Sequence, residues 1–143
     1  MTQAYYFSDA NGNPWPRGAV LRVPTLFDHE GVVGYHPWTG EQVMLQNSKR
    51  FRRKVATTPQ QFNEGRPYVV VSVPSTPEEG VLIEQRAWAD VQTGTAWGWF
   101  DNCQDFASRA VAGKNGSSTR NLFLGLTFLG GLLFLASAGQ RIE

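Results

Sequence analysis

An α+β architecture is expected from this sequence on three grounds. Segments rich in β-formers, broken by Gly and Pro, fill the chain as far as Val73. The character changes after Pro74. There Thr76-Pro77-Glu78-Glu79 supplies a helix start, with Thr as N-cap, Pro at the first helical position and an acid at the third. A second helix start follows near Asp101. The 143 residues suit one domain, and a hydrophobic content of 41% is enough for a modest core.

Taken in order, residues 1–18 read as an irregular N-terminal arm, with Asn11-Gly12 and Pro14-Trp15-Pro16 as turn formers. Residues 19–23 form a short strand closed by Pro24. Residues 26–35 hold a second strand, ended by a turn over 36–40. Residues 41–46 alternate polar and apolar, as a half-buried strand does, and the two strands pair as a hairpin. Residues 47–54 (NSKRFRRK) read as a basic loop. Residues 67–73 (PYVVVSV) are the strongest strand signal, and the valine run suggests burial on both faces. One helix runs from Thr76 to about Val91, and Gly94 and Gly98 sit in the loop beyond it. The next helix starts near Asp101 and turns Phe106, Ala107 and Ala110 inward. Residues 19–112 thus form the main domain, with a flexible linker at 113–119.

Residues 120–143 form a hydrophobic C-terminal helix in this reading. Residues 121–140 carry no charge, and 122–138 are almost wholly apolar between Arg120 and Arg141. Seventeen helical residues span about 25 Å, close to the lower limit for a bilayer core of ~30 Å. A membrane-spanning helix is therefore expected. Gly125, Gly130 and Gly131 would allow self-association through close helix approach. Arg109, Lys114 and Arg120 precede the segment and Arg141 follows it, a bias that places the main domain on the cytoplasmic side. The N-terminus lacks a basic region followed by an apolar stretch, so no secretory signal is expected. A formal net charge of +1 gives no general push towards nucleic acid. Lys49, Arg50, Arg52, Arg53 and Lys54 suit anionic lipid headgroups, or simply a solvated loop.

Chemistry concentrates on the one cysteine, Cys103. A single thiol excludes an internal disulfide and a cysteine-rich zinc site. With Asp101 as N-cap, Cys103 falls in the first helical turn, where unpaired N–H groups and the helix dipole lower a thiol pKa. The same N–H groups can hold an oxyanion as an acyl carbon becomes tetrahedral. The plain alternative is a buried structural Cys. Two histidines are available as base, His29 inside the hairpin strand and His36 in the turn before Pro37. A sheet can fix the His29 ring beside a helix end, whereas His36 suits a surface role. A third polar group orients the imidazole in such sites, and Gln46 and Asn47 stand at the end of the partner strand.

The block Asn102-Cys103-Gln104-Asp105-Phe106-Ala107 resembles the nucleophile motif of the permuted papain-fold (NlpC/P60-like) superfamily, in its lecithin–retinol acyltransferase-like branch. Asp28-His29-Glu30-Gly31-Val32-Val33-Gly34 looks like the His strand of that family, and Gln46-Asn47-Ser48-Lys49 like its next strand end. Phe62-Asn63-Glu64-Gly65-Arg66-Pro67 resembles the approach to the following strand. The His strand precedes the Cys helix, as in that branch. Many members carry a second His where this chain has Gln46. The resemblance covers about residues 18–112. It implies a permuted papain-like fold, a small antiparallel sheet packed on helices. It also implies a thioacyl-enzyme mechanism with Cys103 as nucleophile, His29 as base and Gln46 orienting His29, needing no metal or cofactor. The resemblance leaves the substrate open between an acyl lipid and a peptide, since the superfamily cleaves peptidoglycan peptides and also transfers or hydrolyses lipid acyl groups. A membrane held by residues 121–140 makes an acyl lipid the expected one. The rival readings are a peptidoglycan endopeptidase or amidase, borne by a phage or delivered as an effector, and a non-catalytic virion or structural protein that keeps the fold.

Overall fold

Every strand described precedes the two longer helices in the chain, and those helices pack on the sheet. The computed structural model describes residues 5–26, 28–94 and 102–112. The strands are β1 (Val20–Val23), β2 (His29–Tyr35), β3 (Gln42–Ser48), β4 (Arg53–Thr57) and β5 (Val69–Ser72). The helices are α1 (Pro59–Asn63), α2 (Pro77–Thr93) and α3 (Cys103–Ala112). The strands form one antiparallel sheet in the order β4-β3-β2-β1-β5. The fold is therefore α+β, with the expected hairpin formed by β2 and β3.

Period-two alternation divides the sheet into two apolar faces. Val32 and Leu45, paired across β2 and β3, face α2 and α3 and join Val20, Ile83, Ala87 and Phe106 in one core. Val33 and Met44, the next pair, face the other way and join Phe7, Leu21 and Phe62. The N-terminal arm covers this second face. Phe7 is 1% exposed, and its backbone is clasped by Gln42, whose Oε1 accepts from Phe7 N at 2.7 Å and whose Nε2 donates to Phe7 O at 3.1 Å. Residues 5–18 thus belong to the same folded body as the sheet.

Three expectations change. The valine strand is not buried on both faces: β5 is the sheet edge, paired only to β1, and Val69 is 47% exposed. Residues 47–54 are not a loop throughout. Asn47 and Ser48 end β3 and Arg53 and Lys54 begin β4, leaving only a tight turn between them. Lys54 is buried and its Nζ meets Asp90 Oδ1 at 2.8 Å, while Arg109 holds the other Asp90 oxygen at 2.7 Å. One carboxylate of α2 therefore ties β4 to α3. Finally, α1 was not expected. Thr58 caps it by accepting from Gln61 N, and the Gln61 side chain accepts from Thr58 N in return.

Among the described residues no helix is long and apolar enough to cross a membrane. The expected spanning helix at 120–143, its linker at 113–119, Gly98 and Asp101 lie outside the described residues.

Gly80, inside α2, is where the arm meets the helix. A Cβ there would stand 2.5 Å from the Arg17 carbonyl oxygen. Replacing a helical Gly by Ala ordinarily stabilises by about 1 kcal/mol. Here Gly80→Ala should destabilise by about 1–3 kcal/mol, the range for overpacking. Urea denaturation checks the sign, and an unchanged or raised midpoint would refute the close approach.

Candidate active site

His29 opens β2 on the same face as Val33, and Gln46 lies on β3 on the same face as Met44. Since Val33 pairs with Met44, strand geometry brings the two polar side chains together. His29 Nε2 makes a short hydrogen bond with Gln46 Oε1. An amide oxygen only accepts, so Nε2 carries the proton and Nδ1 keeps its lone pair. Gln46 Nε2 donates to Thr57 Oγ1 at 2.7 Å on the adjoining strand. Phe62 from α1 packs on the imidazole with ring centroids 5.0 Å apart. It can lie there because position 31 is Gly: a Cβ would come within 2.7 Å of the Phe62 ring. Burial pushes the His29 pKa below 6.5, against the bond from Gln46 and the charge of Glu64. The ring is neutral at neutral pH.

Cys103 is the first residue of α3. Its N-cap is Asn102 rather than the expected Asp101. Asn102 Oδ1 accepts from Gln104 N at 3.0 Å and Asp105 N at 3.2 Å, and Asp105 Oδ2 accepts from Asn102 N at 3.3 Å. The Gln104 N–H expected for an oxyanion is thus shared with the cap. Phe106, Ala107 and Ala110 face inward as expected and seat the helix on the sheet.

The thiol donates to the Asp28 carbonyl at 3.7 Å rather than to the His29 ring. Asp28 has a φ of 24°, a strained value for a side-chain-bearing residue. The next residue along the chain is His29. Cys103 is 8% exposed. Burial raises its pKa to about 11, although the backbone N–H groups of Glu30, Gln104 and Cys103 itself favour the thiolate. The Glu30 carboxylate adds to the rise. The helix-start expectation of a lowered pKa is therefore reversed, because desolvation outweighs the amides. Glu30 is itself buried and paired with Arg22 at 2.7 Å, across β1 and β2.

His29 and Cys103 line one cleft of about 380 Å³, within the range of small-molecule sites. Phe62 and Val23 give it apolar walls, and Lys49, Arg50 and Arg66 stand on its lining. His36 plays no part: its Nδ1 accepts from Trp38 N and Thr39 N and closes the β2–β3 turn. Asn47 faces the side of the sheet opposite Gln46. Thr57, Phe62, Asp28 and Glu30 join the site without having been picked out as candidates. Glu30 and Asp28 had a visible signal as neighbours of His29, and Phe62 as the start of the block that resembles the approach to the following strand; Thr57 had none. Among the described residues no cluster of His, Cys, Asp and Glu could hold a metal.

Two pH dependences follow. The Cys103 pKa is raised from 9.0 to about 11, so its stabilising contribution is complete below pH 9.0 and lost as pH rises through 11. The His29 pKa is lowered from 6.5, so its contribution is present above pH 6.5 and lost as pH falls below it. Thermal melts across pH should show both limbs, with the acid limb smaller in His29→Gln. Alkylation of Cys103 by iodoacetamide should climb roughly tenfold per pH unit towards a midpoint near 11, and Glu30→Gln should lower that midpoint. A wild-type midpoint at or below 9 would contradict the burial.

No family model, no curated protein and no solved structure matches this chain, and what the site does must be read from these side chains.

Proposed function

We propose that this chain is a thiol acyl hydrolase or acyltransferase of permuted papain-like arrangement, working through a thioacyl-enzyme. The supporting observation is the Gln46–His29 hydrogen bond. It leaves Nδ1 as the bare nitrogen of a ring that lines the same cleft as a helix-start thiol. A base with a fixed tautomer beside a nucleophile is the requirement for covalent acyl transfer.

The steps balance with these groups alone. The Cys103 thiol turns from the Asp28 carbonyl towards the ring. Nδ1 takes its proton as Sγ bonds to the acyl carbon, and the carbonyl π pair moves to oxygen. The oxyanion collapses, the bond to the leaving oxygen or nitrogen breaks, and Nδ1–H protonates the leaving group. Nδ1 then takes a proton from water, or from an acceptor alcohol or amine, as that group attacks the thioester. The C–S bond breaks and the thiol is restored. Gln46 Oε1 holds the ring throughout and supports the imidazolium between steps.

The basic lining of the cleft, with Lys49, Arg50 and Arg66, and the apolar residues 121–140 favour an ester lipid at a membrane surface over a peptidoglycan peptide. The raised thiol pKa favours a different reading, a scaffold that keeps the arrangement without turnover. Intact-mass spectrometry after incubation with short-chain phosphatidylcholine vesicles, and separately with muropeptides, separates the three. A thioester adduct from vesicles, lost in Cys103→Ala and formed about 10²–10⁴-fold more slowly in His29→Ala, is the expected outcome. Turnover of muropeptides alone would give the peptidase reading. No adduct and no turnover with either would leave the scaffold.

A further inference from the structure

We infer that Thr57 is a positioning residue whose hydroxyl decides which end of the Gln46 amide faces His29, and so which ring nitrogen is left bare. The inference rests on the acyl-transfer reading for its consequence, but its geometry stands apart from turnover.

A primary amide is nearly symmetric in shape, and nothing in its outline tells oxygen from nitrogen. Its partners choose. Thr57 Oγ1 has one proton, and it donates that proton to the Met44 carbonyl at 3.4 Å, at the long end of the range. Met44 and Thr57 are direct partners across β3 and β4, so the register fixes this contact. With its proton committed, Oγ1 can only accept from Gln46, and it does so from Nε2 at 2.7 Å. Oε1 is then turned to His29, whose Nε2 must carry hydrogen. A chain of donors therefore runs one way, from the ring to Gln46, to Thr57, to a backbone carbonyl.

Burial makes the choice binding. Gln46 is 1% and Thr57 4% exposed, so solvent is poorly placed to replace either partner. Without the hydroxyl, the amide nitrogen loses its acceptor. It gains one by turning over, which presents NH₂ to the ring and draws the imidazole towards its Nδ1–H form. That tautomer keeps its one lone pair on Nε2, which is held by Gln46, and leaves none on Nδ1 to take the thiol proton.

The tautomer can be read without any substrate. Long-range ¹H–¹⁵N correlation spectra of the full chain, labelled at histidine, distinguish Nε2–H from Nδ1–H. Wild type should show His29 as Nε2–H at pH 8. Thr57→Val keeps the shape and drops the hydroxyl, and His29 should move to a mixed or Nδ1–H state. Thr57→Ser should restore Nε2–H. Adding Gln46→Glu to Thr57→Val should also restore it, since a carboxylate offers acceptors at both ends. Thioester formation should fall roughly 10²-fold or more in Thr57→Val, as expected when a base sits in the wrong tautomer, and recover in Thr57→Ser. An unchanged Nε2–H state in Thr57→Val overturns the inference. Should that variant fail to fold, an Nδ1–H state in the wild type overturns it equally. Tautomer changes as described, with no thioester even in the wild type, would sink acyl transfer while upholding the role of Thr57.

Discussion

The amide of Gln46 is buried on the face of a sheet, and both its ends must be satisfied there. An unmet buried polar group costs about 1–3 kcal/mol, a large share of the stability of a small domain. Gln46 meets the requirement with His29 on β2 and Thr57 on β4. Three adjacent strands therefore have to hold one register. A slip of one residue would carry Gln46 to the face where Leu45 packs against α2 and α3. The same alternation that places Val32 and Leu45 against the helices places His29 and Gln46 on the opposite face, where Phe62 packs on the imidazole. The site is thus not added to the fold; it is one polar stripe of its hairpin.

The proposed nucleophile and its proposed base are both moved away from ionisation. Burial lowers the His29 pKa and raises that of Cys103. A resting thiolate–imidazolium pair is therefore disfavoured, and the two groups stand as neutral thiol and neutral ring. In the proposed acyl transfer, proton transfer would then accompany C–S bond formation rather than precede it. The backbone amides of Glu30, Gln104 and Cys103 already face the sulfur. Such fixed donors stabilise negative charge as it develops without having to reorganise. They are too weak to hold a thiolate at rest against the desolvation, and that balance is what the raised value expresses.

Local signals were legible in the sequence, and distances between elements were not. Thr76-Pro77 announced α2 correctly. Thr58-Pro59-Gln60-Gln61 carries the same device, but five helical residues are too few to show a period. The cap of α3 was also written in the chain, in Asn102 and Asp105 three residues apart, beside the Asp101 that looked like the cap. His29 and Gln46 could be paired because a hairpin has a fixed alternation. The valines of β5 misled because composition does not separate a central strand from an edge. That distinction rests on β1 pairing with β5 across about fifty residues. The sign of the thiol shift was hidden for a related reason. The helix start is local, but the depth of Cys103 depends on the elements packed around it.

The basic segment shows how the pleat divides one run of charge between structure and site. Lys54 is buried and held by Asp90, so its charge is spent on joining β4 to α2. Arg50, four residues earlier, lines the cleft and pairs with Glu64, and both side chains are well exposed. An exposed ion pair contributes only about 0–1 kcal/mol, so Arg50 could exchange Glu64 for an anionic group on a ligand at little cost. Removing Asp90 from Lys54 has no such cheap alternative, because the buried ammonium would lose its carboxylate, whereas Asp90 itself also keeps Arg109. The cations of this run that line the cleft are those at the turn, Lys49 and Arg50, and Lys54 on the strand is fixed by the fold. In the proposed acyl transfer, a ligand held at the turn would share one cleft with Phe62, His29 and Cys103.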